Sequence, residues 1–218
     1  MINVIDIGIC NLGSLFLALR KIGVESMPTR SPTDLEQASM VILPGVGAFG
    51  EGMARLREFG LVEPICRRVL EDSLPMIGIC LGMQLLFERS DEYGSHTGLG
   101  VLKGEVRRLP LATAPYRIPN IGWCDVTVSS KDGSVAGDTD PSAFYFSHSH
   151  RVVPVDPAII AGTFQFGDHS IPAVISKGML RGIQFHPEIS QGVGLTMLQN
   201  LITDLAVRAS EAKNEARP

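Results

Sequence analysis

Apolar and polar positions follow two alternating rhythms along the first 90 residues. Residues 1–7 form a short apolar run that stops at Gly8, the pattern of a strand covered on both faces. Leu12, Leu15, Phe16 and Leu19 then recur at helical spacing, and Gly23 closes that segment. Residues 40–43 read as a second buried strand, stopped by Pro44-Gly45. Met53, Leu56 and Arg57 lie in a helix before Gly60, and another helical stretch spans 61–71. Residues 75–79 are a third buried strand, followed by a helix over 81–88. Strands alternating with helices imply right-handed crossovers and a parallel sheet with helices on both faces.

The middle of the chain changes character. Residues 101–109, 118–128 and 143–153 are extended segments separated by Gly, Pro and Asp clusters, and 159–166, 173–177 and 182–185 read as further strands. Leu195, Leu198, Leu201, Ile202 and Leu205 mark a closing amphipathic helix. The predicted fold class is α/β: a three-layer sandwich with a mostly parallel central sheet flanked by helices, plus added antiparallel strands. No repeat or linker divides the chain. The expectation is one domain over residues 1–209 and a frayed tail over 210–218.

Composition narrows the functional classes. With 19 Lys+Arg against 23 Asp+Glu and a net charge of −4, the chain lacks the cationic surplus that nucleic acid demands. No apolar stretch approaches the roughly 20 residues needed to cross a bilayer. No Lys or Arg precedes Arg20 and Asp6 interrupts the first apolar run, the wrong start for a secretory signal. Cys10, Cys66, Cys80 and Cys124 are far apart and form no CxxC, which suggests reduced thiols and a cytoplasmic location.

The chemistry concentrates at Gly78-Ile79-Cys80-Leu81-Gly82, which joins a buried strand to a helix through G-x-C-x-G. This is the nucleophile-elbow pattern with Cys in place of Ser. The turn is expected to leave the sulfur exposed at a helix N-terminus, whose partial positive charge favours thiolate. On its own, such a Cys is as readily a buried structural thiol. His186, in Phe185-His186-Pro187-Glu188, follows a strand-like run and is placed to act as base, with Glu188 two residues on to fix its tautomer. Pro44-Gly45-Val46-Gly47 again follows a buried strand, so the N–H of Val46, with that of Leu81, can form an oxyanion hole. The Lys and Ser/Thr of a P-loop are missing there, and no GxGxxG follows the first strand. His148 and His150, two apart on a strand, invite a zinc reading, but no third ligand has convincing spacing, so no metal or cofactor is expected.

The set PGVGAFG, GICLGMQLLFE and FHPEISQ, with the opening VIDIGICNLGSL, resembles the class I (triad) glutamine amidotransferases over nearly the whole chain. Within them it is most similar to the HisH family, the glutaminase subunits of imidazole glycerol phosphate synthase. The resemblance implies hydrolysis of L-glutamine to glutamate and ammonia. Cys80 would be the nucleophile, His186 the general base and acid, and Glu188 its orienter. Gln84 and Glu92 match positions that hold the amino-acid end of glutamine, and backbone at Ser149 and His150 would hold its carboxylate. Gly45, Val46 and Gly47 match a strand whose peptide must turn to complete the oxyanion hole. The implied partner is a HisF-type (β/α)₈ cyclase subunit that receives the ammonia through a sealed passage, with low activity until that partner binds its ligand.

Departures from the family pattern fall on the face where such a partner would sit. Asn120 stands where a His usually precedes IGW, and Cys124 where an Asn follows Trp123. Ile189 replaces the usual Lys after HPE, His150 takes the place of the Tyr in HSY, and Ile7 that of a common Tyr. Asn120, Trp123 and Ile189 are therefore the interface candidates. The departures keep an alternative open: a HisH paralogue that supplies ammonia to a HisF-like synthase for amidine formation on a surface sugar. Lesser alternatives are a stand-alone γ-glutamyl Cys hydrolase and a non-enzymatic binding subunit.

Overall fold

The structure, a computed structural model, describes residues 1–111, 113–128 and 142–215. In chain order the elements are β1 (Ile2–Ile5), α1 (Leu12–Lys21), β2 (Ser26–Thr29), α2 (Pro32–Glu36), β3 (Val41–Gly45), α3 (Phe49–Glu58), α4 (Val62–Leu70), β4 (Met76–Cys80) and α5 (Leu81–Leu85). There follow β5 (Phe87–Ser90), β6 (His96–Thr97), β7 (Leu102–Arg108), β8 (Asn120–Val128), β9 (Ser142–His148), β10 (His150–Pro154), β11 (Ile160–Phe166), β12 (His169–Lys177), β13 (Leu180–Ile183) and α6 (Gln191–Glu215).

Nine strands form the central sheet in the order β2-β1-β3-β4-β13-β12-β11-β8-β9. The half from β2 to β13 is parallel, and the half from β13 to β9 is antiparallel. Alternation along the strands sends successive side chains to opposite cores. Ile42 joins one core with Leu15, Leu19, Leu198 and Leu201 of α1 and α6, while its neighbours Val41 and Leu43 join the other with Met53, Leu56 and Ile65 of α3 and α4. Every residue of β3 and of β4 is buried, so each is apolar on both faces.

The expected α/β sandwich is thus present, with several local differences. The antiparallel addition includes a separate sheet, β10-β7-β5-β6, packed on the α3–α4 side through Phe87, Leu102, Val106 and Val152. The helix expected over 81–88 ends at Leu85, because Phe87 enters β5 and pairs with Leu102 of β7. The extended run 143–153 divides at Ser149 into β9 of the large sheet and β10 of the small one. Within the tail expected over 210–218, α6 runs on to Glu215 through Glu211, Ala212 and Lys213, all good helix formers, and 216–218 lie outside the described residues. Among the described residues no helix is long and apolar enough to cross a membrane.

Candidate active site

The carboxyl ends of β3, β4 and β13 lie side by side, and each delivers one piece of the site. Gly45, the last residue of β3, pairs with Cys80, the last of β4, and β4 pairs on its other side with β13. The elbow demands both of its glycines. A Cβ on Gly82 would sit 1.7 Å from the Leu43 carbonyl oxygen, and one on Gly78 would sit 2.7 Å from the Met83 nitrogen. Main chain this close on both sides forces Cys80 into φ 53°, ψ −108°. Such a conformation costs a non-glycine residue about 1–3 kcal/mol, which the buried elements around it must over-determine.

Cys80 is not exposed as the elbow pattern suggested; only 5% of it is accessible. The Ser147 carbonyl oxygen lies 3.9 Å from its Sγ, and the Gln184 Nε2 lies 3.7 Å away. His186 lies close enough to the same sulfur to be electrostatically coupled to it. Its Nδ1–H donates to Glu188 Oε1 at 2.9 Å, which leaves Nε2 for the sulfur. Backbone crossing fixes the ring: past the end of β13 the chain leaves the ladder, and His186 N–H donates to the Tyr145 carbonyl of β9. Burial pulls the His186 pKa down, but the hydrogen bonds and negative charge of Cys80 and Glu188 outweigh it and push it up to about 10. The imidazolium is the form of His186 that these contacts favour. The α5 dipole adds little, since that helix has only five residues.

Gln84 and Glu92 are placed at this site and are not the solvated side chains that they would be on an open surface. Gln84 is buried and its Nε2 donates to the His150 carbonyl at 3.1 Å and to Gln184 Oε1 at 3.0 Å. Glu92 Oε2 accepts from the Phe49 N–H at 2.7 Å, at the start of α3, and Oε1 lies 3.2 Å from His150 Nδ1. Burial acts to raise the Glu92 pKa, but the bonds from His150 and Phe49 and the charges of His150 and His96 prevail and hold it below the usual carboxylate value. The Ser149 carbonyl is taken by Leu109 N–H and that of His150 by Gln84 and His148.

The oxyanion candidates are split. Leu81 is the first residue of α5, where an N–H has no acceptor within the helix. Val46 N–H, in contrast, donates to the Ile9 carbonyl at 2.9 Å, and Gly47 beside it has φ +102°. The zinc reading of His148 and His150 does not suit their contacts. Ser149 breaks the strand between them, His148 bonds the His150 carbonyl and Asn120, and His150 turns to Glu92. Among the interface candidates, Trp123 is 49% exposed, with Tyr145 against it edge-on at 6.0 Å, and Ile189 is 45% exposed. Asn120 faces inward to His148. Gln184, fully buried between Cys80 and Gln84, was not anticipated from the sequence, although its place two residues before His186 in an extended run puts both on one face.

A thiol on a strained elbow, an imidazole coupled to it and a carboxylate behind the imidazole have the layout of a Cys-His-Glu acyl-transfer site. A family model described as glutamine amidotransferase class-I matches residues 3–205, and the chain belongs to that family. Solved relatives share the fold: a structure described as a glutamine amidotransferase superposes with TM-score 0.72 at 23% identity, covering 96% of this chain and 98% of the other. PurLQS from Thermotoga maritima gives 0.71 at 20%, covering 94% and 98%. Nearer in sequence are proteins named imidazole glycerol phosphate synthase subunit HisH. That of Geobacillus kaustophilus is 40% identical, covering 93% of this chain and 96% of its own, and that of Aquifex aeolicus 41%, covering 90% and 93%.

Proposed function

We infer that this chain is the glutaminase subunit of imidazole glycerol phosphate synthase, hydrolysing L-glutamine to glutamate and ammonia. The electrostatic coupling of Cys80 to a His186 that Glu188 orients carries the reading. Cys80 Sγ attacks the side-chain amide carbon of glutamine, and the carbonyl oxygen takes the negative charge. His186 gives its Nε2 proton to the departing nitrogen, and ammonia leaves a glutamyl thioester. Water then attacks the thioester, His186 takes its proton, and glutamate leaves with the thiolate restored. Glu188 keeps Nδ1–H in place and stabilises the imidazolium. Glu92 takes the substrate's ammonium group, and N–H groups near Ser149 and His150 its carboxylate.

Ammonia is useful to a synthase only while neutral and confined, so the site needs a cover. Exposed Val46, Ile121, Trp123 and Ile189 offer apolar surface for a HisF-type barrel. Val46 N–H, tied to Ile9, leaves the oxyanion hole one donor short until the peptide turns, which supports low activity of the subunit alone. The apolar Ile189, where the family usually has Lys, supports a second reading, in which the barrel is a HisF-like synthase with another ammonia acceptor.

The test is L-glutamine hydrolysis by the chain alone and with a HisF cyclase carrying its nucleotide ligand. Adding one oxyanion donor is expected to raise kcat by about a hundred- to a thousandfold. Cys80→Ala should abolish hydrolysis in both states. Wild-type turnover by that variant would remove Cys80 from the mechanism, and full activity without any partner would favour a stand-alone hydrolase.

A further inference from the structure

The amide of Gln184 has one orientation that satisfies its surroundings. Gln84 Nε2 lies 3.1 Å from the His150 carbonyl oxygen, which can only accept, so this atom of Gln84 is its NH₂ group. The same NH₂ lies 3.0 Å from the Gln184 amide, which must therefore present Oε1 to it. Nε2 of Gln184 is then left to face Cys80 Sγ at 3.7 Å. Gln184 has no solvent exposure, so no water competes for that N–H. Gln84, held by the His150 carbonyl that accepts from it, thus donates to Gln184, and Gln184 donates in turn to the reacting sulfur.

A thiolate inside a buried site needs donors to replace water. The five-residue α5 supplies little dipole, and the Ser147 carbonyl beside the sulfur can only accept, so it offers a thiolate no bond. His186 must also move during turnover, when it hands its proton to the leaving nitrogen. We propose that Gln184 is a positioning residue of the glutaminase reaction: its N–H holds the Cys80 thiolate and fixes its direction of attack, and its own orientation is set, through Gln84, by the His150 backbone that holds the substrate. The proposal rests on the reading of Cys80 as nucleophile and adds a donor to it that is independent of the triad.

Two variants separate this role from mere packing. Gln184→Glu keeps the shape and the acceptor for Gln84 but replaces the N–H beside sulfur with an acidic oxygen. Gln184→Met fills the same volume with no donor. The readout is the rate of Cys80 carbamidomethylation by iodoacetamide between pH 5 and 10, followed on the Cys80 peptide by mass so that the other thiols do not interfere. A hydrogen bond to a charged group has the strength to move the midpoint of that profile up by about one to two pH units on its loss. The midpoint should rise in both variants, kcat for L-glutamine with the cyclase present should fall at pH 7 and recover towards pH 9, and KM should change little. Lower rates at every pH with an unmoved midpoint would show a structural role and overturn the proposal. Wild-type profiles in both variants, each folded by circular dichroism, would overturn it as well. Glutamine hydrolysis by Cys80→Ala would instead overturn the reading of the nucleophile on which it rests.

Discussion

Lowering the pH should destabilise this protein through one histidine, His148, by an amount that its contacts define. His148 closes β9 with 6% exposure, under the rings of Phe146 and Phe164. Its Nδ1–H donates to the His150 carbonyl at 2.8 Å, and its Nε2 accepts from the Asn120 amide at 3.2 Å. The neutral ring is satisfied on both sides, and a second proton would meet a donor. Burial is the main cause that pushes its pKa down, from 6.5 to about 4, against the bond to His150, with His186 and His150 charges adding to the shift. The folded value lies below the unfolded one, so the unfolded chain takes the proton first. The contribution is complete above about pH 6.5 and is lost as pH falls towards 4. A shift of this size corresponds to about 3 kcal/mol at 1.36 kcal/mol per unit. For a chain of this length, about 2–4 °C per kcal/mol makes the loss roughly 6–12 °C in Tm. The assay is thermal unfolding by circular dichroism at half-unit steps from pH 7.5 to 4.5, for wild type and His148→Gln. The variant begins lower, but its Tm should fall less over this window, because carboxylates contribute equally to both proteins and cancel in the difference. Parallel acid limbs would refute the assignment.

Two further outcomes test other parts of the site. Gly82→Ala places a Cβ against the Leu43 carbonyl of a buried neighbouring strand, with nothing flexible to yield. It should cost more than about 4 kcal/mol or prevent soluble expression, whereas Gly192→Ala, open in all directions, should not; the yield and Tm of both variants check this. Glu188→Gln keeps a hydrogen-bond acceptor for His186 but removes the charge that helps to raise its pKa, so the imidazole C2–H resonance of His186 should titrate lower in NMR. Glutamine hydrolysis should fall by about a hundred- to ten-thousandfold, and an unshifted resonance with full activity would remove Glu188 from its role.

The first half of the fold was legible because its strands are short apolar runs flanked by helical repeats, a pattern that few architectures share. The elbow at Cys80 was legible for a related reason: glycines at fixed offsets around a Cys leave few explanations besides a tight turn. The sequence was misleading where one composition suits two structures. Leu85, Leu86 and Phe87 are all buried, and such a run reads equally as the end of a helix or the start of β5. Residues 143–153 read as one strand because nothing at Ser149 announces the change of sheet. β2 and α2 are too short for any period to emerge. Gln184 was missed because its partners Gln84 and Cys80 lie about a hundred positions away, and the sheet order that joins them is not local information.

In the proposed reading the site is half assembled. The imidazole is bonded to Glu188 and is electrostatically coupled to the Cys80 sulfur, so the proposed triad is close to its working arrangement. The proposed oxyanion donor that is engaged elsewhere is the Val46 N–H, held by Ile9. Turning that peptide breaks its bond to Ile9, so a partner that favours the turned form would supply the missing donor. Val46 is nearly half exposed, so a bound surface can reach it directly.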